Sequence, residues 1–132
     1  FNRIIPGTIK SIIEDSGIVI RSDGTYVREY MYVDDALSAY ITLANHMNKA
    51  AGFAFNFSSG EQLSVIEVVE KIKKIMNSDK KPKILNTVRN EIKSQILSIE
   101  RAKKELGWHP TYTLDKTLPA TIEWYREFLS KK

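Results

Sequence analysis

The chain has 132 residues, and its 20 Lys and Arg against 16 Asp and Glu give a formal net charge of +4. That length suits one compact domain, and a composition of 42% hydrophobic and 27% charged residues excludes an intrinsically disordered chain. The absence of cysteine excludes disulfides, thiolate metal sites and a cysteine nucleophile, and no apolar run reaches the ~20 residues of a membrane span.

Short extended runs alternate with amphipathic helices along the chain. This pattern predicts an α/β fold of α+β-like character, with a small mixed sheet and flanking helices. Pro6 lies in the opening turn of a first helix, which we expect to end at Gly17. A short strand over 18–20, a turn over 22–25 and an extended run over 26–33 follow.

The middle of the chain predicts two helices separated by a strand. Asp34 and Asp35 suit the positive end of a helix dipole, so we expect Asp35 to cap the helix that follows. Apolar residues recur along that helix at helical spacing, at Leu37, Tyr40, Ile41, Ala44 and Met47. Alternation over 53–57 predicts a strand, and Ser64 with Glu67 forms the capping-box pattern of the next helix.

The last third of the chain combines weak strand patterns with two clear helices. Residues 83–87 and 95–99 are the strand candidates. A short helix over 100–106 is stopped by Gly107, and a final helix runs over about 114–129 with a proline in its early part.

Motifs for catalysis and cofactor binding are missing from the sequence. It contains no Gly-x-Gly-x-x-Gly, no Gly-x-x-x-x-Gly-Lys, no His-Glu-x-x-His and no Gly-x-Ser-x-Gly, so we assign no catalytic, cofactor-binding or metal-binding residue. Tyr112 and Lys116 fit the spacing of a Tyr-x-x-x-Lys acid–base pair. Because Tyr112 precedes the helix start, the two side chains do not share a helix face, and we predict no catalytic role for them.

Arg28 is the strongest candidate for binding. It lies in an extended, aromatic-rich run, where successive side chains point to opposite faces. An arginine in this position either pairs with a nearby carboxylate or grips an anion from the wall of a cleft. The residues alone leave both alternatives open.

Four ordered blocks of sequence resemble one enzyme family. Residues 23–35 resemble the Asp-Gly, Arg-Asp-Tyr and Tyr-Val-x-Asp segment of extended short-chain dehydrogenase/reductases that act on nucleotide sugars. Residues 55–69 and 106–125 are similar to two later blocks of that family, and residues 3–6 match the start of its substrate lobe. The chain thus resembles the NAD-dependent nucleotide-sugar epimerase/dehydratase family. Within that family it is most similar to the nucleotide-diphospho-glucose 4,6-dehydratases, and a little less similar to UDP-galactose 4-epimerase.

The resemblance implies that residues 1–132 form a C-terminal substrate-binding domain without the Rossmann domain that binds NAD(P). Because the chain begins at Phe1, inside sequence that has a structured pattern, we expect a fragment of a longer enzyme. The fragment itself is expected to be inactive and to hold no cofactor, whereas the longer protein would use NAD(P) as a 4,6-dehydratase or a 4-epimerase. The expected partners are a nucleotide-diphosphate sugar and the Rossmann domain, with no nucleic acid or membrane.

The same resemblance assigns the binding residues. Arg28 matches the arginine that grips the diphosphate, and Arg3 stands where relatives use Asn or Lys to contact phosphate. Arg89 falls near a late arginine that also reaches the diphosphate, with Glu91 as the acidic residue expected shortly after it. Glu61 stands where some relatives place a nucleotide-contacting asparagine.

Two further expectations complete the reading of the sequence. The chain is expected to be cytoplasmic, and the longer enzyme could form a homodimer. The alternative function is a stand-alone basic interaction module that binds nucleic acid or protein, suggested by the lysines over 71–83 and at the C-terminus.

Overall fold

A computed structural model describes residues 3–131 of the chain. In that part of the chain it has six helices and four short strands. The helices are α1 (Ile4–Ile13), α2 (Val33–Asn45), α3 (Met47–Ala50), α4 (Val65–Ile75), α5 (Glu100–Leu106) and α6 (Leu114–Ser130). The strands are β1 (Val19–Ile20), β2 (Val27–Glu29), β3 (Gln62–Ser64) and β4 (Lys83–Ile84). The predicted α/β class with flanking helices is confirmed.

The strands form two separate pairs. β1 and β4 are parallel, with Ile20 opposite Ile84, and β2 and β3 are antiparallel, with Arg28 opposite Leu63. The free edge of β2 is covered by the stretch around residue 94, since the Val27 N–H donates to the Lys93 carbonyl at 2.8 Å. β2 therefore lies between β3 and this later segment.

The main core joins α1, α4 and α6. Ile9, Val68 and Ile72 are fully buried, and Leu118 and Ile122 of α6 pack against them. Burying each such side chain contributes about 1.5–3 kcal/mol, so this three-helix contact fixes α1 firmly in place. The capping box predicted for α4 is confirmed, because the Ser64 hydroxyl accepts from the Glu67 N–H and the Glu67 carboxylate accepts from the Ser64 N–H.

A second, smaller core attaches α2 to α5 and to the segment after it. Trp108 is buried beside Ala39 and Ala102, and its indole N–H donates to the Ser38 hydroxyl at 2.9 Å. Gly107 adopts a φ of 66°, so it ends α5 in the left-handed conformation, as the sequence predicts.

Three expectations about the extent of helices and strands are wrong. The first helix ends at Ile13, four residues before Gly17, because Asp15 takes a φ of 54° and turns the chain. Residues 53–57 and 95–99 are not strands, although Gln95 forms one backbone hydrogen bond to Val27. Among the described residues, neither stretch has a neighbouring strand whose ladder it can join.

Asp35 does not cap its own helix. It is buried within the first turn of α2, and its carboxylate accepts from the backbone N–H groups of Thr111 and Tyr112 at 2.8 and 3.1 Å. The carboxylate therefore ties α2 to the loop before α6. The sequence could not indicate this, because the bonded groups are more than 75 residues away.

Candidate functional site

A cleft of about 910 Å³ opens between α1, β1 and β2, and the segment that crosses from β4 to β2 closes one of its sides. The N-terminal turn of α1 forms one wall, with Arg3 at its N-cap position. Arg28 and Tyr30 line the cleft from β2 and the residue after it, and Glu91 lines it from the crossing segment. The cleft thus joins positions that are far apart in the chain.

Arg28 is positioned by its strand and by the crossing segment. Its side chain is only 23% exposed, and its Nη1 donates to the carbonyls of Val27 and Lys93 at 2.8 and 3.5 Å. Its Nη2 lies 3.2 Å from a carboxylate oxygen of Glu91, which is itself 45% exposed. The guanidinium lies 5.9 Å from the centre of the Tyr26 ring, which supports it from the side. Of the two alternatives open for Arg28, both are realised: it pairs with a carboxylate, and it faces a cleft.

The start of α1 adds donors to the same wall. The first N–H groups of a helix lack intrahelical acceptors and carry the positive end of the helix dipole, which favours an anion. Arg3 is exposed beside this turn, and Pro6 in the third position has no N–H to satisfy. The buried Thr8 hydroxyl, also among the lining residues, has no hydrogen-bond partner among the described residues. This wall therefore offers positive charge and unused polar groups.

Tyr30 contributes a neutral phenol to the cleft. Burial raises the pKa of the Tyr30 hydroxyl, and the nearby Arg28 guanidinium opposes that rise only in part. Tyr30 therefore stays protonated at neutral pH and can donate a hydrogen bond. Sequence reasoning missed it, although its place two residues after Arg28 in an extended run puts it on the same face.

Arg3, Arg28 and Glu91 line one cleft, whereas the other two predicted binding residues do not. Arg89 is exposed, and the cleft is lined beside it by Val88 and Glu91. The Glu61 carboxylate accepts from the Leu114 N–H, so it caps α6 where the Thr113 side chain makes no capping bond. The assignment of Arg3, Arg28 and Glu91 to substrate stays a prediction, and the geometry gives Arg89 and Glu61 no place in this cleft.

Glu29 is a positioning residue that the sequence did not single out. One of its carboxylate oxygens accepts from the Leu97 N–H at 2.8 Å. Together with the bonds between Val27 and the Lys93–Gln95 stretch, this holds the crossing segment beside β2. The wall that carries Glu91 is therefore attached to the strand that carries Arg28.

Three lysines of the stretch over 71–83 are paired with acidic neighbours. Lys71 bonds Asp115 at 2.6 Å, Lys73 bonds Glu70, and Lys80 bonds Asp15. These pairs neutralise part of the basic excess of that stretch. The geometry therefore gives the alternative of a nucleic-acid-binding module no specific support.

The described residues do not fit a dinucleotide. The N–H groups at the start of α4 are engaged by its own capping box, and no described strand leads through a glycine-rich turn into a helix. No group of three or more potential metal ligands occurs among the described residues either. The described helices include none that is long and apolar enough to cross a membrane.

Residues 2–57 match the model of the NAD dependent epimerase/dehydratase family. The chain is 29% identical over 121 residues to UDP-glucuronate 4-epimerase of Thermodesulfobacterium geofontis, covering 90% of this chain and 36% of that protein. It is 27% identical to UDP-N-acetyl-alpha-D-glucosaminuronate decarboxylase of Bacillus cytotoxicus, covering 94% and 40%.

Solved structures of nucleotide-sugar epimerases and dehydratases are also similar to this chain. The crystal structure of UDP-glucose 4-epimerase from Thermotoga maritima with UDP-glucose is 29% identical, with a TM-score of 0.87, over 96% of this chain and 40% of that one. The dTDP-glucose 4,6-dehydratase of Bacillus anthracis in complex with NAD is 25% identical, with a TM-score of 0.82, over 95% and 39%. The chain therefore spans between a third and two fifths of the length of these relatives.

Proposed function

This chain belongs to the NAD-dependent epimerase/dehydratase family, and from that membership we propose that it is the part of a longer enzyme that binds the nucleotide-diphosphate sugar. The observation that carries the proposal is the convergence of Arg28, Arg3 and the first turn of α1 on one cleft. A diphosphate is the part of such a substrate that two arginines and a helix N-terminus suit best, because it spreads two or more charges over several acceptor oxygens.

The cleft suggests a definite arrangement of the ligand. The Arg28 guanidinium would bind one phosphate and the Arg3 side chain, with the α1 N–H groups, the other. The protonated Tyr30 hydroxyl can donate to a further oxygen of the ligand. Charge-assisted hydrogen bonds of this kind contribute about 1.5–3 kcal/mol each, so two of them supply about 3–6 of the roughly 8 kcal/mol that micromolar binding requires.

A Rossmann domain is the second partner that we propose. Large apolar residues are exposed along one face of α2, where Leu37 is 57% and Tyr40 75% exposed, and Phe53 nearby in sequence is 61% exposed. Residues 53–57 have the alternation of a strand and pair with no strand among the described residues. A sheet of another domain would bury these exposed side chains and offer a strand for this stretch to pair with.

The reaction of the longer enzyme is proposed at the level of its class, a 4-epimerase or 4,6-dehydratase that uses NAD(P). Because the described residues do not fit a dinucleotide and provide no acid–base pair, this chain would bind and orient the substrate while the chemistry lies elsewhere. The cytoplasmic location and homodimerisation of the longer enzyme are further proposals, which cell fractionation and sedimentation of the whole protein would test.

Calorimetric titration of the chain tests the proposed function. UDP-glucose and dTDP-glucose are each compared with glucose and with the nucleoside monophosphate. We expect binding of at least one nucleotide-diphosphate sugar, weaker binding of the monophosphate and none of glucose. The chain with added NAD is expected to turn over neither sugar nucleotide. Failure of both sugar nucleotides to bind, or turnover by the chain alone, would contradict the proposal.

A further inference from the structure

Within the crossing segment, residues 88–92 carry a carboxylate against the arginine that is proposed to bind the diphosphate. We propose that Glu91 is a built-in competitor for Arg28, so that an incoming phosphate must displace the Glu91 carboxylate before the guanidinium is free to bind it. The inference rests on the proposed function for the identity of the anion, but not for the contact itself.

The donors of Arg28 are already largely committed. A guanidinium has five N–H groups in a rigid fork. Nη1 donates to the carbonyls of Val27 and Lys93, and Nη2 donates to Glu91, so three contacts are in place before any ligand arrives. The two carbonyls are neutral, and one belongs to β2 and the other to the segment beside it, whereas Glu91 is an anion that attracts the guanidinium by its charge.

The surroundings of Glu91 allow its carboxylate to leave Arg28. Its side chain is 45% exposed, and its ion pair is therefore weak, like other pairs that water screens. The backbone beside it turns at Asn90, which has a φ of 60°, and the segment is attached on either side of its span by Thr87, bonded to Arg21, and Lys93, bonded to Val27. The residues between these anchors can shift without breaking either attachment.

A bound phosphate and the Glu91 carboxylate would repel each other. Both would lie within about 4–5 Å of the same guanidinium, well inside the Debye length of ~10 Å at 0.1 M salt, so the repulsion is not screened away. Glu91 would therefore have to leave the guanidinium when the anion binds. This competition weakens the binding of any anion at Arg28.

Inorganic pyrophosphate is the probe that isolates this effect, because it has neither a base nor a sugar hydroxyl that Glu91 could contact. Glu91→Gln keeps the size of the side chain and removes its charge. We expect Glu91→Gln to bind pyrophosphate about fivefold more tightly than wild type at low salt, which is the interaction of a partly exposed ion pair. The gain should shrink as salt is raised, since added ions screen the carboxylate.

Glu127→Gln is the matched control, because it removes the same charge from an exposed position of α6 outside the cleft lining. We expect the control to bind pyrophosphate as wild type does. Equal or weaker binding by Glu91→Gln overturns the inference, as does an equal gain in the control or the absence of pyrophosphate binding by both proteins. Weaker binding would identify Glu91 as a direct ligand contact.

The failure of the proposed function is a separate result. It is judged by UDP-glucose and dTDP-glucose binding to wild type, whereas the inference is judged by the ratio of pyrophosphate affinities. A fivefold ratio without sugar-nucleotide binding would leave Glu91 as a competitor at an anion site and reject the substrate. Sugar-nucleotide binding with equal pyrophosphate affinities of wild type and Glu91→Gln would support the proposed function and reject the inference about Glu91.

Discussion

At the scale of single residues, the charged side chains bond to the backbone groups that the fold brings near them in space. The Asp35 and Glu61 carboxylates each accept from N–H groups that are remote in sequence. Arg28 differs, because its strand directs it to a cleft and leaves part of its fork unused. We therefore expect Arg28 to contribute most to anion binding at this site.

Replacing Arg28 with alanine should weaken binding of the nucleotide-diphosphate sugar by about tenfold or more, because at least one charge-assisted hydrogen bond is lost. Arg28→Lys should recover only part of the affinity, since an ammonium cannot grip two oxygens in a plane. Titration calorimetry measures both effects, and the thermal unfolding midpoint should barely move because no core volume is removed. Arg126→Ala, which removes an exposed arginine of α6, is the control. Unchanged affinity in Arg28→Ala would exclude the assigned role.

Replacing Glu61 with alanine should destabilise the fold by about 1 kcal/mol and leave nucleotide binding unchanged. The physical reason is that its carboxylate accepts from the first N–H of α6, a cap that also suits the helix dipole. Urea unfolding gives the stability, and the same titration gives the affinity. A loss of sugar-nucleotide affinity with normal stability would instead restore Glu61 as a substrate contact.

At the scale of elements, α4 is the helix whose beginning is most fully specified. Its capping box and its buried face, Val68, Val69 and Ile72, agree with each other and with the sequence pattern. The Ser64 hydroxyl and N–H hold the pKa of the Glu67 carboxyl below its ordinary value of 4.5. This helix therefore gives the protein a defined sensitivity to acid.

The sign of that sensitivity follows from the lowered pKa of Glu67. The stabilisation is complete above the ordinary value and is lost as the pH falls through the lower pKa of the folded state. We expect Glu67→Gln to reduce the fall in the urea midpoint between about pH 5 and pH 3, while Glu127→Gln leaves it as in wild type. Asp15 and Asp23 also have lowered pKa values, so part of the fall should remain. Identical profiles for wild type and Glu67→Gln would show that the capping box does not titrate.

At the scale of the whole molecule, the chain has an interior of its own and an apolar face without a partner. The α1–α4–α6 core is closed, whereas the outer face of α2 leaves Leu37 and Ile41 more than half exposed. Exposed apolar groups at helical spacing usually mark a surface that meets another protein or domain. The described residues supply nothing that covers this face.

We expect the chain by itself to associate through the α2 face. Replacing Leu37 and Ile41 with lysine should shift it towards monomer and leave the unfolding midpoint nearly unchanged, because both side chains are exposed. Sedimentation velocity over a range of concentrations measures the association. A matched double substitution to lysine at the exposed polar sites Asn48 and Ser130, which lie outside the cleft lining, controls for the added charge. A wild-type chain that stays monomeric throughout would contradict this prediction.

The sequence by itself determined the features that depend on neighbouring residues. The capping box of Ser64 and Glu67, the end of α5 at Gly107 and the range of the last helix are correct because each rests on contacts within a few positions. The position of Arg28 in an extended run is correct for the same reason. Because none of the catalytic motifs named in the sequence analysis occurs, a binding role for the site stays the prediction from the sequence.

Only the tertiary structure decided which side chains meet. The apolar stripe of α2 has the pattern of a core face and is exposed, and residues 53–57 have the pattern of a strand and pair with none that the structure describes. A periodic pattern gives the face of an element but not what lies against it. Likewise Arg3, Arg28 and Glu91 converge, whereas Glu61 and Arg89 do not, because that outcome depends on where α1 packs and on how the segment from β4 crosses to β2.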